Sequence, residues 1–366
     1  MAAESILVVG GYGVVGGRIA ADLAEDFPDR VVVAGRNRQR ADVMAATIGY
    51  GARGRQVEVT DRTSIAAALA GVQVVVNCID QPDRALMWAA VEGGLAYTDI
   101  TPHLTDLGRG TGFERVDAAA RAHGARILLG AGLVPGISNV AVRALTDALG
   151  GADRIETALL LNARDGAGPA SFDYLLQELA MTFPIHVDGT DRRVRAFTRP
   201  HTVAFPAPLG PRPAYLFPFS DQVLYPRTLG AGTVLTRLSI DPPWMSRLLA
   251  LLVRTHATRF TAKSPVRAAA ARLRHHRSAP RQQPYALRVE VRFGARSAWA
   301  TQTGRGQAHA TATGAAALAR VLTDAEAVRP GAWMPEQIVD PGPFFQRLAR
   351  AGIPVETSIG LHAAPA

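Results

Sequence analysis

One cysteine, Cys78, occurs in 366 residues. No intrachain disulfide can form from it, and a lone thiol cannot build a zinc site on paired cysteines. A reducing compartment fits. Long apolar runs are missing too: none approaches the ~18 residues needed to span a bilayer. The strongest stretch, residues 244–253, is short and carries Arg247. A basic leader pattern is absent, because the chain reaches Ile6-Leu7-Val8-Val9 almost at once with glycines directly behind. The expectation is a soluble, cytoplasmic protein without a transmembrane segment. Lysine is nearly missing, with Lys263 alone against 39 arginines, a ratio that matches a GC-rich coding sequence.

Two stretches without acidic residues bear on function. None lies between Asp29 and Asp42, and none between Pro242 and Val289, where ten Lys or Arg residues stand. The formal charge of +9 is therefore local: outside those 48 residues, thirty basic residues face thirty-one acidic ones.

What is present is ample for a large core. At 48% hydrophobic residues the length favours about two domains. The first 130 residues alternate β-branched runs with Ala-rich helical patterns. Strands are expected at 5–9, 31–34, 56–59, 73–78, 96–100 and 126–130, and helices at 15–25, 63–69 and 112–123. Several runs are continuously apolar, as strands buried on both faces of a parallel sheet must be. The alternation predicts a Rossmann-type, doubly wound α/β layer whose ligands bind at the C-terminal strand edge. Ser138 is placed to cap a helix running to about 149. Beyond it, strand-like composition at 155–162 and 285–303 and frequent proline from 184 to 243 predict a second, mixed domain. A helix at 314–323 and a short one at 343–351 close the chain. No internal repeat stands out.

Gly10-Gly11-Tyr12-Gly13-Val14-Val15-Gly16 joins the first strand to the first helix. A glycine permits the tight turn, Gly13 lets a pyrophosphate approach the backbone, and Gly16 lets the helix pack closely. The N–H groups of the helix start face the phosphates. The second strand ends in Gly35-Arg36-Asn37-Arg38, and Arg36 lies twenty residues after Gly16. An NAD site places an acid there for the ribose 2′-hydroxyl; arginines instead suit a 2′-phosphate. The expected cofactor is NADP(H). Asp61 either hydrogen-bonds the adenine amine or simply caps its helix. Asn77 and Cys78 end the fourth strand, where the nicotinamide ribose is expected, and Cys78 reads as a packing residue.

These residues resemble the saccharopine dehydrogenase-like family of NADP-binding oxidoreductases. The resemblance rests on residues 9–16, Ala34-Gly-Arg-Asn37, Val75-Val-Asn-Cys78 with Tyr97-Thr-Asp-Ile-Thr101, Gly132-Leu-Val-Pro-Gly136, and the stretch from Gly331-Ala-Trp-Met-Pro-Glu-Gln337 to residues 344–352. It implies a Rossmann NADP-binding domain (1–133), an inserted α+β domain for substrate and oligomerisation (134–305), and a C-terminal segment (306–366) returning to the Rossmann domain. It also implies hydride transfer to a C=N or C=O bond of a small polar biosynthetic intermediate, imine reduction included.

Tyr97 and Asp99 end the fifth strand on one side of it, with His103 close behind. Tyr97 or His103 is placed to protonate the developing product. Asp99 is placed to orient either group or to hold a cationic nitrogen. No spacing singles out Tyr174, His186, Tyr215 or Tyr225. In the basic stretch, residues 241–254 read as a helix capped by Asp241, with Trp244, Leu248, Leu251 and Leu252 on one apolar face. Arg259, Lys263, Arg267, Arg272, Arg274, His275, His276, Arg277 and Arg281 follow. A core helix with a solvated tract explains them, and so does docking to an acidic carrier protein, an anionic membrane or an acidic substrate. Nucleic acid does not fit, for want of aromatics and of any recognition motif. Three readings stay open: a reductase of a small molecule, anionic substrates included; a reductase of a carrier- or lipid-linked acyl chain; and a non-catalytic NADPH sensor. A homodimer is the expected assembly, and no metal is expected.

Overall fold

Strand–helix alternation sets the first unit. The computed structural model describes residues 5–81, 83–100, 112–165, 178–179, 181–255 and 282–360. His103, Tyr174 and the basic tract 256–281 lie outside the described residues. The chain divides into two units, Met1–Val140 with His309–Asp340, and Ala141–Ala308 with Pro341–Ala366.

In the first unit β1 (Ser5–Val9) leads through the glycine turn to α1 (Val14–Asp26). Next come β2 (Val31–Gly35), α2 (Arg38–Ile48), β3 (Arg53–Gln56) and α3 (Arg62–Leu69). Then follow β4 (Val72–Asn77), α4 (Ala85–Glu92), β5 (Ala96–Asp99), α5 (Gly112–His123) and β6 (Arg126–Leu128). A turn at Leu133–Ile137 opens α6 (Ser138–Leu149). Every residue of β1, β2 and β5 is buried, which is why those runs carry no polar alternation.

β3 corrects the expected strand at 56–59. It is an edge strand, and its four residues are exposed or half-buried. Backbone pairing of Arg53–Gln56 with Val32–Gly35 sets its place, not burial. Val57 is buried one residue beyond it, in the turn that leads to Asp61.

The second unit holds β7 (Arg154–Asn162), β8 (Thr182–Val187), β9 (Thr190–Arg195), β10 (Thr198–Ala204) and β11 (Pro211–Leu216). It continues with α7 (Asp221–Thr228), β12 (Thr233–Asp241), α8 (Pro243–Arg254), β13 (Pro284–Phe293) and β14 (Arg296–Arg305). The chain re-enters the first unit through α9 (Gln307–Val321), β15 (Gly331–Trp333) and the short α10 (Pro335–Ile338). It ends in the second with α11 (Pro341–Arg350) and β16 (Val355–Thr357).

The first sheet has seven strands in the order β15-β6-β5-β4-β1-β2-β3, all parallel. The order reverses between β1 and β4, and that switch point opens a crevice beyond the strand ends. The second sheet is mixed and has nine strands, with β12 and β7 parallel and β13 antiparallel to β7. Phe183, Ile185, Val194, Ala196, Leu216 and Leu235 pack together on it.

Two expectations about the chain's ends and helices need correction. The segment 306–366 does not return to the Rossmann unit as a whole. β15 adds beside β6, whereas β16 pairs with β14 in the second sheet. The break falls between Asp340 and Pro341, where α11 begins and goes on to bury Phe344, Phe345 and Leu348. The second correction concerns α8. Asp241 does not cap it: its carboxylate lies 3.2 Å from Arg212 Nε and accepts from Asn162. The inward residues are Ser246 and Val253, so Trp244, Leu248 and Leu251 are exposed. Ser246 Oγ donates to the Ile240 carbonyl and accepts from the Ile240 N–H, which fixes the face turned inward.

Glu156 in β7 accepts from Arg237 of β12 and, at 2.7 Å, from Arg154. Burial pushes its carboxyl up, but the two arginines outweigh that and hold it below the usual range. Glu156→Gln leaves the Arg237 charge nearly buried without its carboxylate and is expected to cost about 2 kcal/mol at neutral pH. Because the folded-state value is depressed, the wild-type advantage is complete above about pH 4.3, the unfolded value, and vanishes as pH falls through the folded one. Denaturant melts of both proteins from neutral to acid pH check this; a gap that does not close in acid contradicts it.

Candidate functional site

The site is built first from a turn that leaves no room for a side chain at three of its glycines. Gly10 has φ +78°, in the left-handed region. A Cβ there would lie 2.7 Å from Ile79 Cγ2, just past the end of β4. A Cβ on Gly11 would meet the Val8 carbonyl oxygen at 2.6 Å, and one on Gly16 would meet the Gly10 carbonyl oxygen at 2.3 Å. Gly13 differs: among the described residues its Cβ would meet only that same oxygen, at 3.1 Å. Gly13 and Val14 are exposed and Val15 is half-buried. Gly13 is the N-cap of α1, no side chain caps the helix, and its first turn carries no acid. The first N–H groups and the positive helix end are thus turned to an anion approaching Gly13.

The far end of the turn meets β2. Tyr12 lays its ring on Gly35, where a Cβ would come within 2.5 Å of it. The Asn37 N–H donates to the Tyr12 hydroxyl, and Asn37 Oδ1 accepts from the Arg40 N–H to cap α2. The structure separates the arginines. Arg36 is exposed beside Gly35. Arg38 is held by Asp42, with Nε 2.8 Å from a carboxylate oxygen. Arg40, which sequence reasoning passed over, stacks its guanidinium 4.6 Å from the Tyr12 ring centroid. Its only sequence signal is its place four residues after Arg36. Asp61 caps α3 by accepting from the N–H and the hydroxyl of Thr63, and its exposed carboxyl is held low by those bonds.

The ends of β4 and β5 carry a buried polar cluster. Asn77 Nδ2 donates to the Tyr97 hydroxyl at 3.1 Å, and that hydroxyl donates to Asp99 Oδ2 at 3.2 Å. Asn77 also exchanges hydrogen bonds with the backbone of Ile79, the residue packed on Gly10. The Gly130 N–H reaches Asp99 Oδ1 at 3.4 Å. Tyr97 and Asp99 are 2% and 1% exposed, so both work from beneath the surface. Burial, then the charge of Asp99, push the Tyr97 hydroxyl well above its ordinary range, while the Asn77 bond and Arg84 oppose this. Burial and Asp99 likewise push the Cys78 thiol up to about 12, so it is not a thiolate. Arg84, at the start of α4, was not singled out by the sequence.

Beyond β6, a second support meets the same edge. Gly136 has φ +129° in the turn at 133–137. Its N–H donates to Asn139 Oδ1, and Asn139 Nδ2 donates to Glu336 Oε2 at 2.7 Å. Both side chains are fully buried. Two motifs nearly 200 residues apart in sequence are one structure here. Among the described residues no group of three or more His, Cys, Asp or Glu could hold a metal. No helix there is long and apolar enough to cross a membrane.

A family model described as the saccharopine dehydrogenase NADP binding domain matches residues 6–125. Those residues are a saccharopine dehydrogenase NADP-binding domain. The cradle at Gly13 and the exposed Arg36 fit such a dinucleotide. The protein is an NADP-dependent oxidoreductase. The fold of the whole chain is similar to that of apo saccharopine dehydrogenase (L-Glu forming) from Saccharomyces cerevisiae. That match has 14% identity and a TM-score of 0.65, over 97% of this chain and 99% of that one. A 3-ketoacyl-(acyl-carrier-protein) reductase from Brucella melitensis, complexed with NADH, matches 34% of this chain and 73% of its own at 15% identity and a TM-score of 0.28. No curated protein matches in sequence.

Two substitutions in the NADP-binding domain separate folding from binding. Gly13→Ala is expected to leave the thermal midpoint close to wild type and to weaken NADPH binding by roughly tenfold or more, ~1.4 kcal/mol. Gly16→Ala forces the Gly10 carbonyl aside and lowers both. Melting curves of the cofactor-free proteins and calorimetric titration with NADPH distinguish the two; equal melting losses would contradict the assignment.

Proposed function

We propose that this oxidoreductase reduces a C=N or C=O bond of a small polar biosynthetic intermediate, with NADPH preferred over NADH. The observation that carries this reading is the Asn77–Tyr97–Asp99 cluster, buried where β4 and β5 end and tied through Ile79 to the glycine turn. Bound NADPH supplies the hydride. The protein's part is to hold the cofactor's diphosphate at Gly13 and the start of α1, and its 2′-phosphate at Arg36. Tyr12 and Arg40 frame the adenosine from the other side of Gly35.

Tyr97 is a poor general acid, because its proton is held by Asp99 and its hydroxyl is pushed upward. We assign it and Asn77 a positioning role. The negative charge of Asp99 then favours a substrate that is already cationic, and a protonated imine needs no proton from the protein. That places C=N ahead of C=O. His103 remains the candidate for any proton delivery, and the second unit is proposed to select the substrate.

Arg36→Ala is expected to weaken NADPH binding by roughly tenfold to a hundredfold and to leave NADH binding nearly unchanged. Asp99→Asn is expected to cut kcat strongly while the calorimetric Kd for NADPH stays near wild type. A substrate panel of cyclic imines and ketones scores both. A chain preferring NADH would remove the role given to Arg36, and unchanged kcat in Asp99→Asn would remove Asp99 from the reaction.

A further inference from the structure

α8 is anchored on one side and bare on the other. Ser246 hydrogen-bonds both backbone groups of Ile240, and Arg195 donates to the Val253 carbonyl near the helix's C-terminal end. Those contacts leave Trp244, Leu248 and Leu251 on the outer face, 57%, 44% and 56% exposed. They sit at positions i, i+4 and i+7, which form one stripe along two turns. Arg247 and Arg254, both exposed, run seven residues apart along one flank of that stripe. The helix opens the 48-residue stretch with ten cations and no anion. Isolated exposed leucines are ordinary; a tryptophan and two leucines in register on one anchored helix are not.

We propose that this face is a docking surface for an anionic lipid membrane, on which α8 lies in the plane of the interface. The stripe enters the boundary between headgroups and acyl chains, Trp244 sits at the headgroup level, and the arginines meet lipid phosphates. Charge selects this occupant over a second copy of the chain. A twofold contact through α8 would bring Arg247 and Arg254 of both copies to one interface, and like charges at close range oppose it. The chain's own residues 256–281 are equally basic and offer the flanking arginines no counter-charge.

The test is flotation of the full-length protein with vesicles of phosphatidylcholine containing about 30% phosphatidylglycerol, against pure phosphatidylcholine. Binding is expected to the anionic vesicles and to weaken as salt rises from about 0.05 to 0.5 M. It should be accompanied by a blue shift in tryptophan emission that Trp244→Phe removes. Leu248→Asp/Leu251→Asp is expected to reduce vesicle binding at least roughly tenfold. Both side chains are exposed, so this variant should keep its melting temperature and its NADPH affinity. Retention of those two properties separates failure of docking from failure of the cofactor assignment. The proposal is overturned by absence of binding to anionic vesicles, or by undiminished binding of the double variant. A dimer that the double variant dissociates, with no vesicle binding, would give the face to a second copy. Binding to an acidic carrier protein but not to vesicles would give it to that partner instead.

Discussion

The contact between Gly16 and the carbonyl of Gly10 governs the first unit. With no side chain at residue 16, α1 starts directly on the turn that leaves β1, and its N-terminus points out over the strand ends. The same turn sets Gly10 close to Ile79, where a side chain at residue 10 would not fit. Ile79 in turn is hydrogen-bonded to Asn77, and Asn77 to Tyr97. One close backbone approach thus sets the spacing between the start of α1 and the buried Asn77–Tyr97–Asp99 cluster. A side chain at residue 10, 11 or 16 breaks that spacing; one at Gly13 only occupies the approach.

The rest of the unit is closed by chain that returns from far away. Arg320 of α9 forks to Asp22 and Asp26 of α1, and its side chain is 10% exposed. β15 adds beside β6, with the Ala332 N–H donating to Asp117 of α5. Glu336 then reaches Asn139, which holds the Gly136 turn. Each link satisfies a buried or half-buried polar group that would otherwise be costly. The returning segment therefore does more than fill space: it fixes the loop after β6, whose Gly130 N–H faces Asp99.

Much of this was legible in the chain. Continuous apolar runs gave β1, β2 and β4 to within a residue or two, because strands buried on both faces leave no other pattern. The glycine spacing pointed to the turn, and alternation put Tyr97 and Asp99 on one side of β5, where the two side chains meet. Edge strands and exposed helix faces were not legible. β3 is defined by backbone pairing, and its residues Arg53, Gly54, Arg55 and Gln56 carry no burial signal. In α8 the pattern showed which face is apolar but not which face is inward, and a single serine decided that. Arg40, Arg84 and Glu336 were missed because their roles come from the Tyr12 ring, from a charge acting on the Tyr97 hydroxyl and from a hydrogen bond to Asn139, and no local pattern announces a tertiary neighbour. Tyr97 was placed correctly but its freedom was overestimated; a hydroxyl between Asn77 and Asp99 is a buried link in a network.

That network gives the site a gradient of charge. Arg36, Arg38 and Arg40 gather at the β2 end, and the positive end of α1 faces the middle. Asp99 places a negative charge beneath the ends of β4 and β5, and it acts on both Tyr97 and Cys78. A dinucleotide phosphorylated on its adenosine matches this ordering in one direction only. In the proposed function its most negative end is held by the arginines, and its nicotinamide end, which gains positive charge as hydride leaves, lies toward Asp99. In the reaction proposed above, the buried carboxylate favours two charges at once, the oxidised nicotinamide and a cationic acceptor. Because Asp99 is held under the surface, it does so through the low-dielectric interior and without competing for the substrate's own hydrogen bonds.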